Sequence, residues 1–158
     1  MLSAVTLLMP EVSITPFSYR ADAGVPKFDD SKPLFVFDGV CVLCSGGASW
    51  IMKLDRKALV NLTSAQGTLG SALYGHYGRQ IDDSYLFIVN GRAFEASRGY
   101  FELCRVLGWP WKTFLLLLVV PVGWRDWLYG KVAKNRYRWF GKVEYCTLLT
   151  ETQRARLI

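Results

Sequence analysis

Cysteine and histidine are scarce in this sequence: 158 residues hold four cysteines and one histidine, His76. Four thiols in a chain of this length do not make a disulfide scaffold, because a domain this large can bury a core that needs no staples. A closed zinc site usually shows two paired ligand motifs. Only one cysteine pair is closely spaced here; Cys104 and Cys146 stand alone. Long hydrophobic runs are missing as well. A bilayer-spanning helix needs about 20 apolar residues, whereas the run at 114–120 stops at Pro121. The apolar N-terminus, MLSAVTLLMP, lacks the basic flank of a secretory signal and ends at Pro10 and Glu11, so a reducing cytoplasm is the expected compartment. Acidic residues are few, 13 against 19 basic ones, giving a formal net charge of +6. The cations gather late, at Lys131, Lys134, Arg136, Arg138, Lys142, Arg154 and Arg156. That bias suits an anionic partner or surface, although a solvated basic face is the simpler reading. No nucleic-acid-binding motif accompanies it, and nucleic acid is not an expected partner.

What is present is a globular composition, 51% apolar, organised around residues 34–50, LFVFDGVCVLCSGGASW. Leu34, Phe35, Val36 and Phe37 read as a buried strand, Asp38-Gly39 as a turn, and Cys41-Val-Leu-Cys44 as the mouth of a helix. A CxxC between a strand and a helix is a redox signature. The helix is expected over 45–56, where Trp50, Ile51 and Leu54 recur at helical spacing. Gly46 and Gly47 in its first turn suggest close approach of a substrate or another backbone.

Residues 1–33, with Pro10, Pro16, Pro26 and Pro33, read as an extension that packs on the domain or stays mobile. After the CxxC helix come a strand at 58–63 and a helix at 64–77 closed by Gly78. A hairpin of 84–89 and 92–95 follows, turning on Asn90-Gly91, and then a helix at 97–107 closed by Gly108. The order β-α-β-α-β-β-α predicts an α/β, thioredoxin-like three-layer fold over 34–108. Residues 109–158 are a C-terminal helical extension of the same domain. There the 114–120 run is expected to be a buried helix and 124–140 a second helix, ahead of a short polar helix or extended tail.

Asp38, Cys41 and Cys44 in FDGVCVLC carry a resemblance. With Asp83-Ser84, Ser97, the late block Arg125-Asp126…Tyr129…Asn135-Arg136-Tyr137…Phe140-Gly141…Cys146 and Arg154…Arg156-Leu157, the chain resembles the DCC family of predicted thiol-disulfide oxidoreductases from about Leu34 onward. The resemblance implies dithiol–disulfide exchange with no bound cofactor and no metal. Its partners would be a protein or small-molecule disulfide or dithiol and an electron donor. Where a thioredoxin places a proline before its third strand, Asp82-Asp83-Ser84 stands instead.

At a helix N-terminus a thiolate is favoured by unpaired N–H groups and the helix dipole. Cys41, expected to be the more exposed, is the candidate nucleophile, and Cys44 the resolving thiol. Asp38 either relays a proton or simply makes the Asp-Gly turn. Asn135, Arg136 and Cys146 are candidates for positioning substrate, although a packing and solvation role for the basic face is favoured, as is packing for Cys146. Cys104 reads as a small core hydrophobe on the stripe Tyr100, Cys104, Leu107, and His76 as a surface or helix-end residue without a partner. The alternatives to an enzyme are a zinc-thiolate module, or a membrane-surface adaptor using Trp109, Trp111, Trp124 and Trp127, with peripheral membrane contact.

Overall fold

Leu34, Phe35, Val36 and Phe37 are all buried, as a run of β-formers without polar alternation requires. In the computed structural model, which describes residues 15–82, 84–144 and 149–158, they form β1 (Leu34–Phe37) at the centre of a sheet. The other strands are β2 (Asn61–Ser64), β3 (Leu86–Val89) and β4 (Arg92–Phe94), in the spatial order β2-β1-β3-β4. β2 runs parallel to β1, Leu34 opposite Asn61; β3 runs antiparallel, Leu34 opposite Ile88. α1 (Val42–Leu54) crosses from β1 to β2, α2 (Thr68–His76) leads to β3, and α3 (Ala96–Leu107) follows β4.

The pleat of β1 sorts its side chains into two cores. Leu34 and Val36 pack with Leu69, Leu73 and Tyr74 from the α2 side. Phe35 and Phe37 pack with Ala48, Ile51 and Leu103 from the α1 and α3 side. Helices on both faces of a mixed four-stranded sheet are the thioredoxin-like layers expected. α2 lies so close to β2 that a Cβ at Gly70 would stand 2.0 Å from the Ser64 carbonyl oxygen, which accounts for a glycine inside that helix. The hairpin turn holds Asn90 at φ 50° and Gly91 at φ 74°, both left-handed as the type I′ turn demands.

Several boundaries and environments differ from expectation. α1 starts at Val42 rather than 45, because Cys41 serves as its N-cap. β2 starts at Asn61 rather than 58. Ala58 has φ 50°, and the Asp55 carboxylate takes the N–H groups of Leu59 and Val60, both at 2.9 Å. The 114–120 run is not a buried helix: it lies in a 3-10 segment, Trp111–Val119, with no buried residue. That segment packs against α3 and leaves Leu116, Leu117 and Leu118 exposed. His76 is at a helix end as expected, but it has partners. Its Nε2 pairs with Ser18 Oγ at 2.8 Å and its Nδ1 with Asp22 Oδ2 at 2.7 Å. This joins the N-terminal segment, whose Tyr19 and Val25 are buried in the α2-side core, to the body of the fold.

Beyond the 3-10 segment, α4 (Val122–Phe140) is one long helix. α5 (Glu151–Arg154) is closed by a Thr150–Gln153 capping box. The tail then runs along β2: Ile158 N–H donates to Leu62 O at 2.9 Å, and Arg156 Nη2 meets Asp55 Oδ2 at 3.1 Å.

Candidate active site

β1 ends at Phe37 and α1 begins at Val42, so the turn between them presents Asp38, Cys41 and Cys44 at one end of the sheet. Cys41 is the N-cap: its backbone is extended, and its Sγ accepts the Cys44 N–H at 3.5 Å. This is the place a serine or aspartate would take to satisfy a helix's first N–H groups. Sulfur there is a ready seat for negative charge. Cys41, Cys44 and Cys104 are all free thiols.

The exposure expected of the pair is reversed. Cys41 is 0% exposed, whereas Cys44 is partly open. The segment after α4 pairs with the head of α1 across Cys41: Val143 N–H donates to Val40 O at 2.9 Å and Val42 N–H to Gly141 O at 3.4 Å, the two bonds of an isolated antiparallel bridge between Lys142 and Cys41.

Asp38 is 1% exposed and saturated with donors. Its Oδ1 takes the Val40 N–H at 3.1 Å, closing the Asp-Gly turn, and Gln66 Nε2 at 2.7 Å. Its Oδ2 takes Arg136 Nη2 at 3.2 Å and the Tyr137 hydroxyl. Of the two sequence readings of this residue, the turn is what the geometry shows, and its carboxylate also holds the Arg136 guanidinium.

Arg136 departs from the solvated basic face expected of it, being 3% exposed. Besides Asp38, its guanidinium reaches Cys44 Sγ at 3.4 Å through Nη1 and the Ile81 carbonyl at 3.0 Å through Nη2. Burial pushes the Cys44 thiol up to about 12, against the pull of the Arg136 cation and with Cys41 and Asp38 adding to the rise. Burial also raises the Tyr137 hydroxyl, as do its bonds to Asp38 and Asp82, so it stays a proton donor. The bond to Asp82 Oδ1 is 2.9 Å long.

Of the other candidates, Asn135 turns back on its own helix, its Nδ2 donating to Lys131 O at 2.8 Å. Cys146 lies outside the described residues. Cys104 is half-buried rather than a core residue. Its stripe faces an open cavity of about 1170 Å³ that Cys44 also lines. The cavity is walled mainly by apolar side chains, among them Leu43, Trp50, Phe114, Trp127 and Phe140. Gly46 and Gly47 line it too, and a Cβ on either would meet nothing within 4 Å; no backbone approaches them, contrary to one of the two expectations. Ser84, just before β3, accepts the Ala96 N–H at 3.2 Å and pairs with the Tyr129 hydroxyl at 2.9 Å.

Gln66, Tyr137 and Asp82 are site residues that sequence patterns did not single out for these roles. Gln66 also accepts the Gly39 N–H at 2.8 Å, bracing the turn from the β2 side. Among the described residues, no three His, Cys, Asp or Glu side chains group in a way that could hold a metal ion.

A family model described as DCC1-like thiol-disulfide oxidoreductase matches residues 35–142. The chain is 38% identical over 127 residues to the uncharacterised protein YuxK of Bacillus subtilis, covering 79% of this chain and 93% of that one. It is 32% identical over 123 residues to a chloroplastic DCC family protein of Arabidopsis thaliana, covering 76% of this chain and 72% of the relative. No solved structure matches it.

Proposed function

Since the chain belongs to the DCC1-like thiol-disulfide oxidoreductase family, we propose that it exchanges electron pairs with a thiol- or disulfide-bearing substrate through Cys41 and Cys44. One observation carries the division of labour. Cys41 Sγ is covered and accepts a helix N-terminal N–H, while Cys44 Sγ lines the open cavity.

In the oxidised protein a substrate thiolate attacks the accessible sulfur, Cys44. The Cys41–Cys44 bond breaks, a substrate–Cys44 disulfide forms, and Cys41 leaves with its sulfur in the N-cap position, where it accepts the Cys44 N–H. A second substrate thiolate then attacks the substrate sulfur, releasing the substrate disulfide and leaving both electrons on the protein. Cys44, whose thiol is pushed up by burial, takes up a proton. Reduction of a substrate disulfide is the same path reversed, with Cys41 resolving the mixed disulfide. Cys44 thus takes the substrate-facing role that its expected exposure had assigned to Cys41.

Arg136 positions the Cys44 sulfur and offsets its charge, and Asp38 holds Arg136 in place. An electron donor or acceptor closes the cycle. A reducing compartment such as the cytoplasm keeps the dithiol as the resting form.

Trapping tests the assignment. Cys41→Ser should accumulate a stable adduct on Cys44 when mixed with oxidised glutathione, read by mass spectrometry of intact protein and peptides. Cys44→Ser should form an adduct at least about tenfold more slowly, because its remaining thiol is covered. An adduct that accumulates on Cys41 in Cys44→Ser and not on Cys44 in Cys41→Ser would overturn it.

A further inference from the structure

Residues 109–143 carry an apolar surface that neither core uses. Trp109 is 78% exposed, Leu116 74% and Val119 87%. Trp124, Trp127 and Leu128 extend the surface along α4. An apolar patch of this extent marks a contact surface, and the charges beside it indicate what it contacts.

Trp124, Trp127, Lys131, Lys134 and Arg138 follow one another at intervals of three and four residues, so they form a single stripe of α4. That stripe is aromatic toward the N-terminal end and basic toward the C-terminal end. All five are exposed, as are Lys112 in the 3-10 segment and Lys142 after the helix. The one acidic residue between 109 and 143 is Asp126, and it is occupied by the Ser97 hydroxyl at 2.6 Å. No helix among the described residues is long and apolar enough to cross a membrane. Exposed indoles and leucines flanked by lysines, with no exposed carboxylate between residues 109 and 143, make up an element suited to the headgroup layer.

We propose that the face formed by the 3-10 segment and the Trp124–Arg138 stripe of α4 docks on the surface of a bilayer containing anionic lipid. The leucines and tryptophans enter the interface, and the basic end of the stripe meets the lipid headgroups. The same elements wall the cavity that contains Cys44, so docking brings the thiol site against the membrane. A protein groove would explain the apolar side chains. A purely apolar groove would not explain the exposed cations that continue the same stripe.

Co-sedimentation of the full chain with vesicles tests this. Vesicles of phosphatidylcholine with about one third phosphatidylserine should bind it at least tenfold more tightly than phosphatidylcholine alone, the excess fading as salt rises. Leu116→Glu with Val119→Glu, outside the cavity lining, should lose binding to both kinds of vesicle while keeping exchange with a soluble disulfide. Lys131→Gln with Lys134→Gln should weaken binding to the anionic vesicles about 25-fold, roughly fivefold for each cation removed. Cys41→Ser should bind as the wild type does, which separates failure of the docking face from failure of the thiol chemistry.

Equal binding to both vesicle types would overturn the proposal, as would undiminished binding by Leu116→Glu with Val119→Glu. A dimer in the ultracentrifuge that this double variant dissociates would assign the face to a second copy instead.

Discussion

At the residue scale the site turns on one buried ion pair. Asp38 and Arg136 lie 3.2 Å apart, with side chains 1% and 3% exposed. Removing one partner of such a pair leaves a charge without compensation, which costs about 3–5 kcal/mol. Asp38 would keep the Val40 N–H, Gln66 and Tyr137 as donors, so Arg136→Met is expected at the low end, about 3 kcal/mol by urea unfolding. The same variant should change reactivity in a direction set by charge. The Arg136 cation favours the Cys44 thiolate and opposes the rise caused by burial. Its loss therefore moves the pH profile of Cys44 alkylation to higher pH and slows the reaction at every pH below the plateau. Arg136→Lys keeps the charge and should restore much of the profile. A purely structural arginine would leave the profile of the folded fraction where it was. The sequence singled out Asp38 as a relay or a turn residue and Arg136 within the late family block, and neither reading pairs the two. An arginine among lysines on a polar helix reads as solvated, and only the fold brings it to a carboxylate 98 residues away.

At the element scale, what was legible in the sequence is what a few adjacent residues decide. The four apolar residues of β1, the Asn90-Gly91 turn and Gly108 at φ 77° after α3 each act through local backbone preference, and each stands where expected. The CxxC was legible as the mouth of α1, but not that Cys41 itself is the N-cap and the helix begins at Val42, because cysteine is not among the side chains that ordinarily cap a helix. Nor was the environment of 114–120. A run apolar on every side has no periodicity, so nothing in it says which side is covered. The glycines of α1 were legible as an anomaly, but the cause is space rather than contact. Since a Cβ at Gly47 meets nothing within 4 Å, Gly47→Ala should raise stability by about 1 kcal/mol through helix propensity, visible as a higher urea midpoint with an unchanged slope. The added methyl sits in the cavity wall beside Cys44. A bulkier Gly47→Leu should therefore slow exchange with large substrates more than alkylation by a small reagent.

At the scale of the whole molecule, the segment after α4 returns to the head of α1, where Cys41 is buried. Residues 40–42 at the head of α1 and 141–143 after α4 are joined by the two backbone hydrogen bonds of the Cys41–Lys142 bridge, and Cys41 at that junction is 0% exposed where an accessible thiol was expected. No local pattern announces a contact across a hundred residues, which is why exposure was the part of the site read the wrong way round. The junction can be loosened without touching either thiol. Proline has no N–H to donate, so Val143→Pro removes the bond from Val143 to Val40 O. In a Cys44→Ser background, the Cys41 of the folded protein is expected to react slowly with iodoacetamide, and Val143→Pro to speed that reaction at least about tenfold, with little change in the urea midpoint. In a Cys41→Ser background the same substitution should leave Cys44 alkylation within about twofold of its starting rate, because Cys44 opens to the cavity rather than at the junction. Equal acceleration of both thiols would mean general loosening of the fold. No acceleration of Cys41 would mean that the 141–143 segment is not what shields it, and the division of roles between the two sulfurs would have to be drawn again.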